Sequence, residues 1–373
     1  MKNTIKEKLY HYYIQHRHKI KSRRGSWMLS HLYLKDYRNN PVKKYFTIAK
    51  VHEKGWSYAD WEIMDIAHKN KIDYLNTRDY CFLHPLNGEY SHWIDDKLTL
   101  KYLLEGTSFR ENMPEYYMQI LPNGEIVPLS DFSGEKRDIK VDELIALLKE
   151  KRSLALKKMR GALGEGFVKL SFEKEKNIIR WNDKEISEED LNSRLKGLRN
   201  YLVMEFLTPH AEIARFCDSS LGSLRFLIGK GADGIWREIT SFLRVGVKES
   251  GPVENYMQGG VVLYLEDGKF HRGHVIDDKT HKDKIIYSHP DNNLPLKGEV
   301  PLYDTIKKIS YGIAHNFPQL KYLGFDFAIT SDNKVKITEI NSLNSLTFQI
   351  DQPVFKTPGG KFFREELAKY GKD

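Results

Sequence analysis

Between Gly324 and Asn341 two apolar runs flank the polar stretch Ser331-Asp332-Asn333-Lys334, and each run carries an acid among its apolar positions. This is the pattern of a β-hairpin, because Asp and Asn suit a tight turn and side chains on either arm alternate with period two. With a two-residue turn at Asp332 and Asn333, Asp326 stands directly opposite Glu339, and Asn341 shares the face of Glu339. Two carboxylates about 5 Å apart repel, and apolar neighbours such as Ala328, Val335 and Ile337 make ionised groups costly unless something neutralises them. A divalent cation is the expected neutraliser. Oxygen donors from Asp326, Glu339 and Asn341 suit Mg²⁺ shared with phosphates, with Mn²⁺ as a substitute, and no His or Cys is placed to favour zinc. A solvent-facing edge with ordinary surface acids is the competing reading.

Phosphate-side candidates lie upstream. Ser153 to Met159 and Phe167 to Phe172 read as strands joined by a loop carrying Gly161, Gly164 and Gly166, with Lys157, Lys158 and Arg160 supplying positive charge. Such a flap lets backbone N–H groups approach phosphates, although a mobile surface hairpin would look the same. It is not a P-loop, since no Gly-Lys-Ser/Thr follows, and not a dinucleotide fingerprint, since a strand follows instead of a helix. Tyr201 to Leu207 is a strand ending in Glu205-Phe206-Leu207, able to offer backbone to adenine and a carboxylate to ribose. Arg225 and Arg244 interrupt apolar strands, and a buried guanidinium needs an anion, either phosphate or an Asp or Glu. Asn255 and Gly259-Gly260 sit in a polar loop near these strands. The histidines at 271, 274, 281 and 289 are expected at the surface.

The remaining signals bound the class. At 373 residues, with 40% hydrophobic residues, the chain should form a mixed α/β globule of two or three lobes. A helix is expected at Asp60 to Lys69, another from Asp95-Asp96-Lys97 to Leu104, a hairpin at Tyr116 to Leu129, and strands at Ser223 to Ile228, Ile239 to Val245 and Gly260 to Leu265. Pro301 should open a helix whose stripe is Leu302, Ile306, Ile309, Ile313 and Phe317. The net charge is +8, but residues 1–24 hold eight Lys or Arg and the single acid Glu7, so the rest is nearly neutral. That argues against a nucleic-acid groove, and no helix-turn-helix, zinc-finger or RNP pattern is present. In residues 4–20, Ile5, Leu9, Tyr12, Tyr13, His16 and Ile20 form an apolar stripe on a basic helix, fitting an anionic membrane surface or the protein's own core. Cys81 and Cys217 are expected as buried free thiols. No signal-peptide core or membrane-spanning run is present, which leads us to expect the cytoplasm, with peripheral contact at the inner membrane face.

The order of elements, with Asp96-Lys97 opening a helix, a lysine strand, a glycine flap, a Glu205 hinge, then Asp326 and Glu339-Ile340-Asn341, resembles the ATP-grasp superfamily. Ser223-Leu224-Arg225, Arg244-Val245-Gly246, Glu254-Asn255, Gly259-Gly260, His289-Pro290 and Gly324-Phe325-Asp326 narrow the resemblance to the sugar-transfer-associated ATP-grasp family, over roughly residues 93–352. The resemblance implies an α+β fold, two lobes clamping ATP: residues 1–92 as an N-terminal region, about 150–207 as a flap lobe, about 208–352 as a catalytic lobe, and 353–373 as a tail helix. It also implies ATP held by Lys97, Lys157 or Lys158 and Glu205 to Leu207, and Mg²⁺ held by Asp326, Glu339 and Asn341. Lys157-Lys158 replaces the usual Lys-Pro, and Phe325 stands where the narrower family tends to have Trp. The activity implied is a carboxylate-amine ligase acting through an acyl phosphate on a sugar acid, amino sugar or amino acid in envelope or capsular polysaccharide synthesis, with glycosyltransferases as candidate partners. A sugar or glycan kinase, or a non-catalytic ATP-binding component, would use the same clamp.

Overall fold

The computed structural model describes residues 5–129, 141–160, 166–250, 254 and 256–372, so Gly161, Gly164 and Asn255 lie outside the described residues. The N-terminal region is helical: α1 (Ile5–Arg17), α2 (Arg23–Arg38), α3 (Tyr45–Glu53), α4 (Tyr58–Ile63), α5 (Thr77–Leu83), α6 (Ser91–Asp95) and α7 (Lys97–Glu105). Side-chain caps define several starts. The Ser22 hydroxyl accepts from the Gly25 N–H, Ser57 from Asp60, Asn76 from Asp79 and Asp96 from Thr99, each satisfying a donor the helix cannot. The helix expected at Asp60 to Lys69 is broken after Ile63, because Asp65 turns left-handed (φ 50°) and only a 3₁₀ turn, Ile66–His68, follows.

The apolar stripe expected on the first helix is not the face that packs. Ile5 (78%), Leu9 (63%), Tyr12 and Tyr13 are exposed, while His11 and Ile14 are buried. The reason is local: the helix stops at Arg17, Lys19 turns left-handed (φ 51°), and Ile20 reaches the core from the turn instead of from the stripe.

Seven strands form the first sheet: β1 (Tyr116–Ile120), β2 (Ile126–Pro128), β3 (Ser153–Lys158), β4 (Val168–Glu173), β5 (Ile178–Trp181), β6 (Lys184–Ile186) and β7 (Tyr201–Glu205), in the order β2-β1-β7-β3-β4-β5-β6. Helices α8 (Val141–Lys151) and α9 (Glu188–Gly197) complete this lobe, with Leu144, Leu148, Leu191 and Leu195 in its core. After the short α10 (Ala211–Ala214), the second sheet takes β8 (Ser223–Lys230), β9 (Trp236–Val245) and β10 (Val261–Tyr264). A side ribbon pairs β11 (Lys269–Phe270) with β14 (Gly298–Glu299), flanking β12 (Gly273–Ile276) and β13 (Asp283–Ile286). With β15 (Tyr322–Ile329) and β16 (Val335–Asn341) the second sheet runs β13-β12-β10-β9-β8-β15-β16.

Period two sorts β15 into its two environments. Leu323, Phe325, Phe327 and Ile329 pack with α11 (Tyr303–Asn316), whose Ile306, Ile309 and Ile313 are buried; Leu302 has left the stripe as a left-handed N-cap residue (φ 57°). The other face begins at Tyr322, inside a second core that α12 (Gly360–Ala368) shares with the N-terminal helices, and continues through Gly324 to Asp326. One end of that face is sealed by Phe362, Phe363 and Tyr80; the other opens into a cleft.

Candidate functional site

The cleft, about 1130 Å³, lies between the two sheets and takes lining residues from both. Its floor depends on the β15–β16 hairpin. The structure pairs Asp326 with Glu339, but not through a two-residue turn. The connection is the three-residue loop Ser331-Asp332-Asn333, with the Thr330 N–H donating to Lys334 O at 2.9 Å and Asn333 left-handed (φ 59°). A bulge at Thr338 then adds one residue to β16 and restores the pairing. This bulge also switches faces: Val335, Ile337 and Ile340 pack into the α11 core, whereas Glu339 and Asn341 line the cleft. Without it, Glu339 would follow Ile337 into the core, so Val335 and Ile337 are not the neighbours of the acid pair that strict alternation makes them.

The acids are neutralised by the chain itself. Arg225 grips Asp326 with a fork, Nε to Oδ1 at 2.7 Å and Nη2 to Oδ2 at 2.8 Å, and Arg244 Nη2 adds a third bond to Oδ1 at 2.8 Å. Both arginines therefore find their anion in a carboxylate. Asn341 Nδ2 donates to Oδ2 at a long 3.3 Å, and the Lys97 ammonium holds Glu339 at 2.9 Å. Burial alone would raise the Asp326 pKa; the two guanidinium groups outweigh it and hold the carboxyl below its usual range. Burial likewise pulls Arg225 down, and Asp326 more than restores it.

Lys157 and Lys158 point differently because β3 alternates. Burial lowers the Lys157 ammonium, partly countered by Glu339, Glu254 and Asp326, and it has no ion pair among the described residues. The Lys158 stem runs beside Gly166, a left-handed residue (φ 74°) where any Cβ would collide with the Tyr201 hydroxyl. Glu205, Phe206 and Leu207 also line the cleft; the Glu205 carboxylate accepts the Glu115 N–H at 3.0 Å, and Lys169 sits 4.8 Å over the Phe206 ring.

Sequence reasoning missed the group behind Arg225. Asn344 Oδ1 accepts from Arg225 Nη1, and the Tyr80 hydroxyl donates to Asn344 O at 2.7 Å while accepting its N–H at 3.0 Å. Gly324 makes this possible, because a Cβ there would strike the Asn344 amide. No local pattern reveals a contact between residues 264 apart. Two histidines expected at the surface are buried. His289 Nε2–H donates to Gly246 O at 3.0 Å, and His274 lies between Asp283 (2.9 Å) and Asp351 (3.1 Å). Their isolation in a polar stretch gave no sign of the strands that enclose them. Cys81 and Cys217 are buried free thiols.

A family model described as sugar-transfer associated ATP-grasp matches residues 81–357. Among solved structures, the chain is similar to N5-carboxyaminoimidazole ribonucleotide synthetase from Thermotoga maritima, at 12% identity over 74% of this chain and 50% of that one, with a TM-score of 0.37. It is similar to D-alanyl-alanine synthetase A from Vibrio cholerae O1 biovar eltor at 12% identity over 75% and 65%, TM-score 0.42. The ATP-grasp ligase PsnB, complexed with a precursor variant, Mg and ADP, gives 11% identity over 76% and 60%, TM-score 0.38. The chain thus spans half to about two thirds of the length of these structures. No match was found among curated proteins. The family match takes in every strand of both sheets and the whole of the cleft floor, and the chain accordingly belongs to the sugar-transfer associated ATP-grasp family, with its fold of two α+β lobes.

Proposed function

We propose that the chain uses Mg-ATP to join a carboxylate to an amine through an acyl phosphate, acting on a sugar acid, amino sugar or amino acid destined for an envelope or capsular polysaccharide. The observation that carries this reading is the charge arrangement around Asp326. Two arginines share one buried carboxylate, Lys97 is matched by Glu339, and Lys157 makes no ion pair among the described residues. A site with surplus buried positive charge is suited to polyphosphate.

In this reading adenine lies along Glu205, Phe206 and Leu207, and the phosphates run past Lys97, Lys157 and Lys158. The γ-phosphoryl group ends at Arg225 and Arg244. Glu339, Asn341 and Asp326 Oδ2 would hold Mg²⁺. The donor set fits: Glu339 has one cationic partner, and the 3.3 Å contact from Asn341 to Oδ2 is weak enough that turning the amide would offer its oxygen instead. When bound, the ion neutralises phosphate charge. A substrate carboxylate oxygen attacks the γ-phosphorus and the bond to the bridging oxygen breaks, releasing ADP. The amine then attacks the acyl carbon, loses a proton and expels phosphate. The chain's part is to position and neutralise, and Arg225 is preorganised for it by Asp326 and Asn344.

Incubation with Mg-ATP and pooled sugar acids, amino sugars and amino acids tests the reading. Ligation gives ADP and free phosphate only when carboxylate and amine are both present; phosphate retained on a sugar hydroxyl would mean a kinase. We also propose peripheral contact with an anionic membrane surface through α1, supported by its exposed Ile5, Leu9, Tyr12 and Tyr13 among basic residues. No described helix is long and apolar enough to cross a membrane.

A further inference from the structure

The cleft face of the second sheet carries a row of directly paired residues that crosses five strands: Glu339, Asp326, Arg225, Phe242 and Tyr264. Its character changes at Arg225. On one side are carboxylates; on the other are two half-buried aromatic rings, 5.4 Å apart and tilted by 54°. Tyr256 and Phe348 wall this second part of the cleft.

The first sheet joins at the carboxylate side. The Ser331 N–H donates to Thr208 O at 2.9 Å and the His210 N–H to Ile329 O at 2.8 Å, so the segment leaving Glu205 to Leu207 is pinned to the β15–β16 hairpin. A nucleotide reaching in from Glu205 to Leu207 meets Glu339 and Asp326 first and ends at the arginines. The aromatic shelf lies beyond, one and two strands further along the row.

The shelf presents carbon. The Tyr264 hydroxyl donates to Thr347 O and the Tyr256 hydroxyl to Asp283, so both phenols are tied to protein acceptors and turn ring surface towards the cleft. Arg244 Nη1, by contrast, makes no hydrogen bond among the described residues, since Nε and Nη2 serve Ser223 and Asp326. A ligand filling this end needs an anionic group at one edge and a flat apolar face behind it. We propose that the shelf binds the acceptor as a pyranose acid, its carboxylate against Arg244 and Arg225 and its C–H face on Phe242 and Tyr264. Aromatic faces carry negative quadrupole charge that attracts such C–H groups, and a small amino acid would leave both rings wet. This assignment rests on the ligase reading and names its carboxylate substrate.

Two measurements on the full chain test it. Saturation-transfer NMR on the ADP-loaded protein uses glucuronate, galacturonate, D-alanine and benzoate as probes. Exchange of ¹⁸O between bridging and non-bridging positions of ATP is followed with each acid and no amine. The expected result is saturation of the uronate ring protons and exchange driven by a uronate. Phe242→Ala and Tyr264→Ala should weaken uronate binding about tenfold with unchanged ADP affinity. Phe242→Leu, which keeps most of the volume but loses the flat face, should do the same if the alanine variants unfold. Exchange driven by D-alanine or benzoate and not by uronates overturns the shelf and leaves the ligase standing, as does uronate binding indifferent to all three variants. Shelf-dependent uronate binding with phosphate transferred to a hydroxyl keeps the shelf and removes the ligase.

Discussion

Two buried ion clusters sit on the second sheet, and they are built to opposite stoichiometry. At Asp326 two guanidinium groups converge on one carboxylate, and Lys157 nearby makes no ion pair among the described residues. At His274 one imidazole lies between Asp283 and Asp351, Arg272 pairs with Asp351 at 2.7 Å, and the Tyr256 hydroxyl donates to Asp283. With His274 protonated, the ion pairs of the second cluster set two cations against two anions, with Lys69 close enough to feel both carboxylates. Burying charge is costly in either place. A balanced cluster offsets that cost internally and acts as a strut between β12, β13 and the segment after β16, whereas a surplus of one sign leaves the cost to be offset by a ligand of the other. The difference is the one expected between a structural strut and the binding site proposed at Asp326.

Removing one cleft-facing carboxylate should break the first cluster's function. Glu339→Ala is expected to lower Mg-ATP turnover per folded molecule by about 10³-fold, the scale of losing one preorganised transition-state contact, and to lower the unfolding midpoint as well, because Lys97 is left buried without its partner. Full turnover in that variant would remove Glu339 from the site. The mirror experiment is His274→Leu, which leaves Asp283 and Asp351 buried with one cation between them. A loss of about 3–4 kcal/mol in urea unfolding is expected, with turnover per folded molecule within about twofold of the parent. If stability holds and turnover collapses, the two clusters have been assigned the wrong way round.

Titration sharpens the same contrast. Burial pushes the His274 imidazole down, but its bonds to Asp283 and Asp351 outweigh burial and raise its pKa above the ordinary value. A group raised on folding contributes its full stability below its unfolded pKa of about 6.5, and the contribution is lost as pH rises through the folded value. Urea midpoints should therefore fall from about pH 6.5 upward in the parent, over and above any change seen in His274→Leu. Equal slopes in the two proteins would mean that folding does not raise the His274 pKa.

How much of this was legible beforehand follows from how far each contact reaches. The Asp326–Glu339 pair was readable because both arms lie within one hairpin, and it came out paired even though the loop and the bulge at Thr338 each depart from the simplest geometry. The fork from Arg225 to Asp326 was not, because 101 residues separate them and only the strand order puts β8 beside β15. Arg225 and Arg244 announced a need for an anion; nothing local said that the anion was the same acid thought to require a metal. His274 gave no signal at all, since its partners are on β13 and past β16. The role of the α1 stripe, a membrane-facing or a core-facing surface, was undecided for the opposite reason: helical spacing was visible, but the turn at Lys19 that decides which side meets α2 was not.

That exposed face offers the smallest effect and a third term for the comparison. Ile5 and Leu9 are apolar groups exposed to solvent, as Lys157 is a buried charge with no ion pair among the described residues, and an exposed apolar cluster is as informative as a buried polar one. Lys6 and Lys8 flank them, so an anionic bilayer would satisfy both the apolar side chains and the charge. Ile5→Ser with Leu9→Ser should weaken sedimentation with phosphatidylserine-containing vesicles by about tenfold at low salt, since each buried apolar side chain contributes on the order of 1 kcal/mol at an interface. Raising the salt should weaken the parent as well, because a charge more than about 8–10 Å from the lipid is screened. Turnover on a soluble substrate should not change, as neither side chain is near the cleft. Vesicle binding that survives the double substitution would hand the stripe to a protein partner, and the surplus would still need an occupant.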